Sequence, residues 1–215
     1  MTEYVYAGYG ISPGIVDKID PSIMSLVSTF TAPSGHSRVG GLAYDGTYIY
    51  VSYGTSPGII DKVDPSTMAL VSTFTAPTGH NIIYALMYDG TYIYAIYDTT
   101  PGIVDKINPS TMTLVSTFTA PSGHNGVFSL TYDGTYVYAG YITVPGIVDK
   151  VDPSTMTLVS TFTAPSGHNS VFSLTYDGTY VYVGYATAPG IVDKVDPSTM
   201  TLVSTFTAPS GHNDV

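Results

Sequence analysis

Residues 126–163 read GVFSLTYDGTYVYAGYITVPGIVDKVDPSTMTLVSTFT, and the punctuation of this stretch decides the fold. It falls into four runs, GVFSLTY (126–132), TYVYAGY (135–141), IVDKVD (147–152) and TLVSTFT (157–163), each rich in Val, Ile, Thr, Tyr or Phe. None carries an apolar stripe at helical spacing, so all four are predicted as strands. Asp133-Gly134 between the first two is a strong hairpin signal, because Gly accepts the positive φ of a primed turn. Asp152-Pro153-Ser154-Thr155 fits a type I turn, with Pro supplying the preset φ at its second position. A loop ending at Pro145 and Gly146 joins the second run to the third. The stretch therefore predicts four antiparallel strands in one sheet.

The same words recur outward in both directions. Tyr-Asp-Gly begins at Tyr44, Tyr88, Tyr132 and Tyr176, always 44 residues apart, and Met1 falls at the position of its Asp. Five units result, 1–44, 45–88, 89–132, 133–176 and a shorter 177–215, with no linker between them, so residues 1–215 are read as one domain. Repeats of 40 to 45 residues with four strands each are the signature of propeller blades. The predicted fold is an all-β, five-bladed β-propeller of 44-residue, four-stranded antiparallel blades. A β-solenoid is the alternative. The first two strands are apolar on both faces, as for sheets packed between neighbours; the Asp-Lys pair of the third and the Ser and Thr of the fourth are expected towards a solvated rim.

Composition narrows the function classes. The chain has 215 residues, 44% of them hydrophobic, enough for a sizeable core. Sixteen acidic residues against six basic ones give a net charge of −10, which disfavours nucleic acid as a partner. There is no cysteine, hence no disulfide and no thiol chemistry. The opening MTEYVYAGYG lacks signal-peptide features, and no apolar run approaches membrane-spanning length, so no membrane insertion is expected. Twenty tyrosines with abundant Ser and Thr and little Lys or Glu lean towards an extracellular or cell-surface setting.

The stretch DGTYVYAGY…PGIVDKVDPSTMTLVSTFTAP resembles the YVTN-type propeller repeat, with its DG-x-x-YV hairpin and its V-x-x-ID strand before a Ser/Thr turn. The Gly-His pair between one unit's last strand and the next unit's first is similar to that of WD-repeat blades, although no Trp-Asp dipeptide follows. The resemblance implies a binding or scaffolding propeller rather than a reaction.

The chain starts on a second strand: TEYVYAGY (2–9) aligns with GTYVYAGY (134–141). Its blade lacks most of an inner strand, for which Asn213, Asp214 and Val215 supply only a beginning, with Val215 expected opposite Gly8. The edge at Thr2, Glu3, Tyr4, Val5 and Tyr6 then lacks its inner neighbour. An unpaired buried backbone group costs about 1–3 kcal/mol. Water in a central channel, a strand donated by another molecule, or continuation of a longer repetitive chain are the three ways to cover it, and head-to-tail donation would build a homopolymer or fibre.

Variation among units gathers in the loop after the second strand (residues 10–12, 54–56, 98–100, 142–144, 186–188) and in the residues after Gly-His, both on one face of a propeller. The candidate ligand face comprises His36, Arg38, His80, Asp98, His124, His168 and His212. The five histidines share one phase; each is expected to fix a loop within its own blade, the alternative being a ring that holds a metal or a polar ligand. Repetition of Asp17, Lys18 and Asp20 through Asp193, Lys194 and Asp196 argues against catalysis, which needs one asymmetric constellation. Asn108 in place of the repeated Asp suits turn capping. No cofactor is expected; calcium on these carboxylates is the alternative. The tyrosines are expected to pack between blades rather than to stack on sugars. The expected function is a non-catalytic structural or adhesive subunit that self-assembles through its open blade. A lectin-like, carbohydrate-binding propeller is the alternative.

Overall fold

The structure, a computed structural model, describes residues 4–215, so Thr2 and Glu3 of the expected edge lie outside the described residues. Every regular element among them is a β-strand. The first sheet holds β1 (Val5–Tyr9), β2 (Ile15–Asp20) and β3 (Ser25–Thr31), and the second holds β4 (Val39–Tyr44), β5 (Ile49–Tyr53), β6 (Ile59–Asp64) and β7 (Ala69–Thr75). The third is β8 (Ile83–Tyr88), β9 (Ile93–Tyr97), β10 (Ile103–Asn108) and β11 (Thr113–Thr119). The fourth is β12 (Val127–Tyr132), β13 (Val137–Tyr141), β14 (Ile147–Asp152) and β15 (Thr157–Thr163), and the fifth is β16 (Val171–Tyr176), β17 (Val181–Tyr185), β18 (Ile191–Asp196) and β19 (Thr201–Thr207). In each sheet, chain neighbours are hydrogen-bonded neighbours.

Two compact units divide the chain. Met1–Ala95 with Ile107–Val115 contains the first and second sheets whole, Ile96–Lys106 with Ser116–Val215 contains the fourth and fifth, and the boundary runs through the third. In the first unit, Val16, Phe30 and Ala32 of one sheet pack against Ile49, Val51, Tyr53, Val63 and Met68 of the next. In the second unit Val148, Phe162 and Ala164 pack in the same way against Val171, Val181, Tyr185 and Met200. Burying each such side chain contributes about 1.5–3 kcal/mol.

Both turns differ from the sequence expectation. Asp133 and Gly134 do not form a two-residue primed turn, because Tyr132 pairs with Val137 and the loop is four residues long. The Asp133 carboxylate decides this: its Oδ1 accepts the Thr135 and Tyr136 N–H groups, so β13 starts two residues late, and Gly134 takes φ 93°. After Asp152 the bond runs from the Met156 N–H to the Asp152 carbonyl, one residue longer than a type I turn, and Met156 adopts φ 53°.

The inner strand also carries an extra residue. Val127 pairs with Tyr141 and Ser129 with Gly140, leaving Phe128 between them as a bulge whose ring stacks on Phe172 at 4.9 Å. In the same register Val39, Val127 and Val171, the counterparts of Val215 in other units, face the last residue of the second strand, Tyr53, Tyr141 and Tyr185.

The third strand is not at a solvated rim. Asp61, Asp105, Asp149 and Asp193 are fully buried, and Lys62, Lys106 and Lys150 nearly so. The interior tolerates these charges because each is hydrogen-bonded.

Candidate functional site

The histidine loop begins at a tight turn: Gly35 takes φ 91° and the His36 N–H donates to the Pro33 carbonyl at 3.1 Å. The turn aims His36 at two sheets. Its carbonyl accepts the Gly14 N–H of the first sheet at 2.8 Å, while its Nδ1 lies 2.8 Å from Asp61 Oδ2 in the second. Asp61 Oδ2 also accepts the Tyr53 hydroxyl at 3.0 Å, and Oδ1 accepts the Thr73 hydroxyl at 2.7 Å. The histidine–aspartate bond recurs at His124 with Asp149 and at His168 with Asp193, each at 2.8 Å, and Asp193 also accepts the Tyr185 and Thr205 hydroxyls. The His80 and His212 carbonyls accept the Gly58 and Gly190 N–H groups at 2.8 and 2.7 Å. Burial, then the neighbouring aspartate, raises the Tyr53 and Tyr185 hydroxyl pKa values well above the ordinary tyrosine range, so both stay neutral donors. His36, His124 and His168 thus each span two successive sheets, a wider role than fixing a loop within one blade.

The lysines make a parallel set of ties. Lys18, Lys62, Lys106 and Lys150 donate from Nζ to the carbonyls of Pro65, Pro109, Pro153 and Pro197, each in the following sheet's last turn, at 2.7–2.8 Å. The Lys18 ammonium also sits 3.9 Å over the Tyr4 ring. The Asp-Pro carboxylates cap turns: Asp152 Oδ1 accepts the Ser154 N–H and hydroxyl, and Asn108 Oδ1 does the same for Ser110. Among the described residues no three His, Asp or Glu side chains come together as metal ligands.

The two variable loops adjoin. Ser12 Oγ lies 2.8 Å from Ser37 Oγ, Ser56 donates to Asn81 Oδ1, and the Ile82 and Ser170 N–H groups donate to the Thr55 and Thr143 carbonyls. Arg38, at φ 60°, is exposed and borders a concavity of about 250 Å³ with Gly10, Gly54, Ile82 and Tyr84. A second, of about 350 Å³, lies among Val144, Pro145, Ser166, Gly167 and Asn169. Asp98 is exposed in the loop after β9. His36, His124 and His168 are side-chain-buried to all but 14–15%, so their rings serve the scaffold more than the loop surface.

The end sheets differ from the rest in what they leave uncovered. In the first sheet, β1 is an edge strand, with Val5 49% and Tyr9 41% exposed, against 1% and 0% for their counterparts Val181 and Tyr185. Met24 is 76% exposed where Met200 is 6%. In the fifth sheet Phe206 is 60% exposed, whereas Phe30, Phe74, Phe118 and Phe162 are each 4%. Asn213 to Val215 lie on the fifth sheet itself: Asp214 N–H donates to the Thr187 carbonyl and Val215 N–H to that of Tyr185. The sequence reading missed Phe206 and Met24, because LVSTFTAP and the turn methionine are repeated in every unit and nothing local marks the copy without a neighbour.

Comparison with known proteins fits this arrangement. The LVIVD repeat family model matches residues 170–208, which hold the fifth sheet. Among solved structures, the chain is similar to a chain of Kuenenia stuttgartiensis hydrazine synthase, with a TM-score of 0.75 and 15% sequence identity over 91% of this chain. It spans 60% of the length of that chain. No curated protein matches. Likeness at that identity concerns architecture alone, and together these findings place the chain among repeat β-propeller folds, without singling out the YVTN or WD type.

Proposed function

We propose that this protein is a non-catalytic structural or adhesive β-propeller subunit whose open first sheet is completed by a segment from another molecule. The observation that carries the reading is the edge at β1, the inward strand of a three-stranded sheet where the other four sheets place a further strand inside it. An uncovered edge of alternating Tyr and Val is a template for strand addition. The His-Asp-Tyr-Thr sets at Asp61 and Asp193 support the non-catalytic part, since each is closed on itself by hydrogen bonds and the two are alike. A peptide of sequence NSVFSLTY (169–176), the inner-strand segment of the fifth sheet, tests it. Titrated into the protein, it is expected to bind and to shift β1 amide resonances from Val5 to Tyr9. Unchanged resonances at millimolar peptide would defeat the proposal.

A carbohydrate-binding face is the second reading, favoured by the concavity beside Arg38 and Tyr84. A guanidinium and an aromatic ring at one hollow suit a sugar carrying a carboxylate. Calorimetric titration with uronate oligosaccharides checks it, with heat lost in Arg38→Ala.

A further inference from the structure

Four successive junctions between sheets are built from one contact set, and the fifth sheet presents one half of that set while the first presents the other. At each internal junction a lysine on one sheet donates to the proline carbonyl of the following sheet's last turn. At the junctions described above, a Phe from the fourth strand is buried against the next sheet's second strand, and a histidine from the connecting loop reaches the next sheet's aspartate. On the fifth sheet Phe206 and His212 are exposed. On the first sheet the receiving residues Val5, Tyr9 and Met24 are exposed, and Asp17 is only half-buried, unlike the four counterparts at 0%. Asp17 is already arranged as those are: Thr29 donates to its Oδ1 at 2.6 Å, and its hydrogen bond with the Tyr9 hydroxyl raises that tyrosine's pKa.

We infer that the partner is a second copy of this chain, its first sheet docked on the fifth sheet of the copy before it, so that the contact reproduces an internal junction. In that contact Phe206 is covered by Val5, Tyr9 and Met24 of the second copy, His212 Nδ1 meets Asp17 Oδ2, and Lys194 donates to the Pro21 carbonyl. This inference rests on the self-assembly reading above and specifies its surfaces. The two halves match because every internal junction already demonstrates their fit in shape and hydrogen bonding, and a residue buried to 4% in four copies and exposed to 60% in the remaining one marks the unfilled half. The contact is heterologous, since it joins different surfaces of the two copies, and such contacts propagate in rows or close into rings.

The test uses two full-length variants, Phe206→Asp and Met24→Asp. Both positions are exposed, and Met24 lies in a turn at φ 51° that Asp accepts, so circular dichroism and melting temperature are expected to match the parent chain. Sedimentation velocity is expected to show concentration-dependent oligomers for the parent chain. Each variant alone is expected to be monomeric, its association weakened about tenfold or more. An equimolar mixture keeps one intact half on each partner and is expected to give a dimer of one of each and nothing larger. A parent chain monomeric at all concentrations overturns both this inference and the self-assembly reading. Variants that assemble like the parent overturn this inference alone, and so does a mixture that stays monomeric.

Discussion

At the residue scale the fold is held by polar groups that repeat with the sequence and are buried with their partners. Asp193 receives His168, Tyr185 and Thr205 in an environment from which water is excluded. Removing one donor leaves a buried carboxylate underpaired, so His168→Ala is expected to cost about 1.5–3 kcal/mol in urea unfolding. His212→Ala, exposed in the single chain, is expected to change unfolding little. The glycine after the variable loop is constrained by space. A Cβ on Gly146 would stand 2.8 Å from Tyr185 Cε1, a ring fixed by its bond to Asp193, so Gly146→Ala is expected to cost about 1–3 kcal/mol by overpacking. The order of residue types in PGIVD is therefore set by the neighbouring sheet as much as by its own.

At the scale of elements, the turns and edges show what local chemistry settles. Each of the five turns after the third strand, Asp-Pro-Ser-Thr-Met with Ile23 in the first and Asn108 in the third, ends on a methionine at φ 51° to 53°, a region that costs a side chain roughly 1–2 kcal/mol. Met156 offsets this by burying its side chain, so Met156→Gly is expected to lose about 2 kcal/mol or more. Met24 covers nothing, so Met24→Gly is expected to fall within about 1 kcal/mol of the parent in dilute solution, as read from chemical denaturation. The aspartates at the head of these turns titrate with them. Hydrogen bonds from the Ser hydroxyl, then the Ser N–H, hold Asp64, Asp152 and Asp196 below the usual carboxylate range. Their folded pKa values are lower than the unfolded value of about 3.9, so this stabilisation is complete above about pH 4 and is lost as pH falls through the folded values. Asp152→Asn keeps the acceptor, as Asn108 does, and is expected to flatten the fall in melting temperature between about pH 4 and 2. The outer strands β3, β7, β15 and β19 carry one extra residue each, Val159 in β15 among them, and the bulge interrupts an edge that would otherwise invite pairing.

At the scale of the whole molecule, charge and tyrosine dominate. Burial, with nearby aspartate, pushes the hydroxyls of Tyr53, Tyr97 and Tyr185 far up. The sign is that of a raised acid: their stabilisation is intact below the unfolded value of about 10 and disappears as pH rises through the folded values. Absorbance titration is expected to show exposed tyrosines ionising near pH 10 and the buried set only in a cooperative step with unfolding. Much was legible beforehand: the 44-residue period, four strands per unit and the place of every turn follow from GVFSLTY, TYVYAGY, IVDKVD and TLVSTFT, because turn chemistry and β-propensity act over a few residues. The four-residue Asp-Gly loop was not legible, since it depends on which amides one carboxylate captures. Nor was the burial of Asp149 and Lys150, which a polarity scale assigns to solvent until their partners appear from sequence positions 25 and 47 residues away. By itself the sequence determined the repeat, the strands and their antiparallel succession within each unit. Only the tertiary structure decided which of five identical phenylalanines is left uncovered, because identical words acquire different burial according to whether another sheet lies against them.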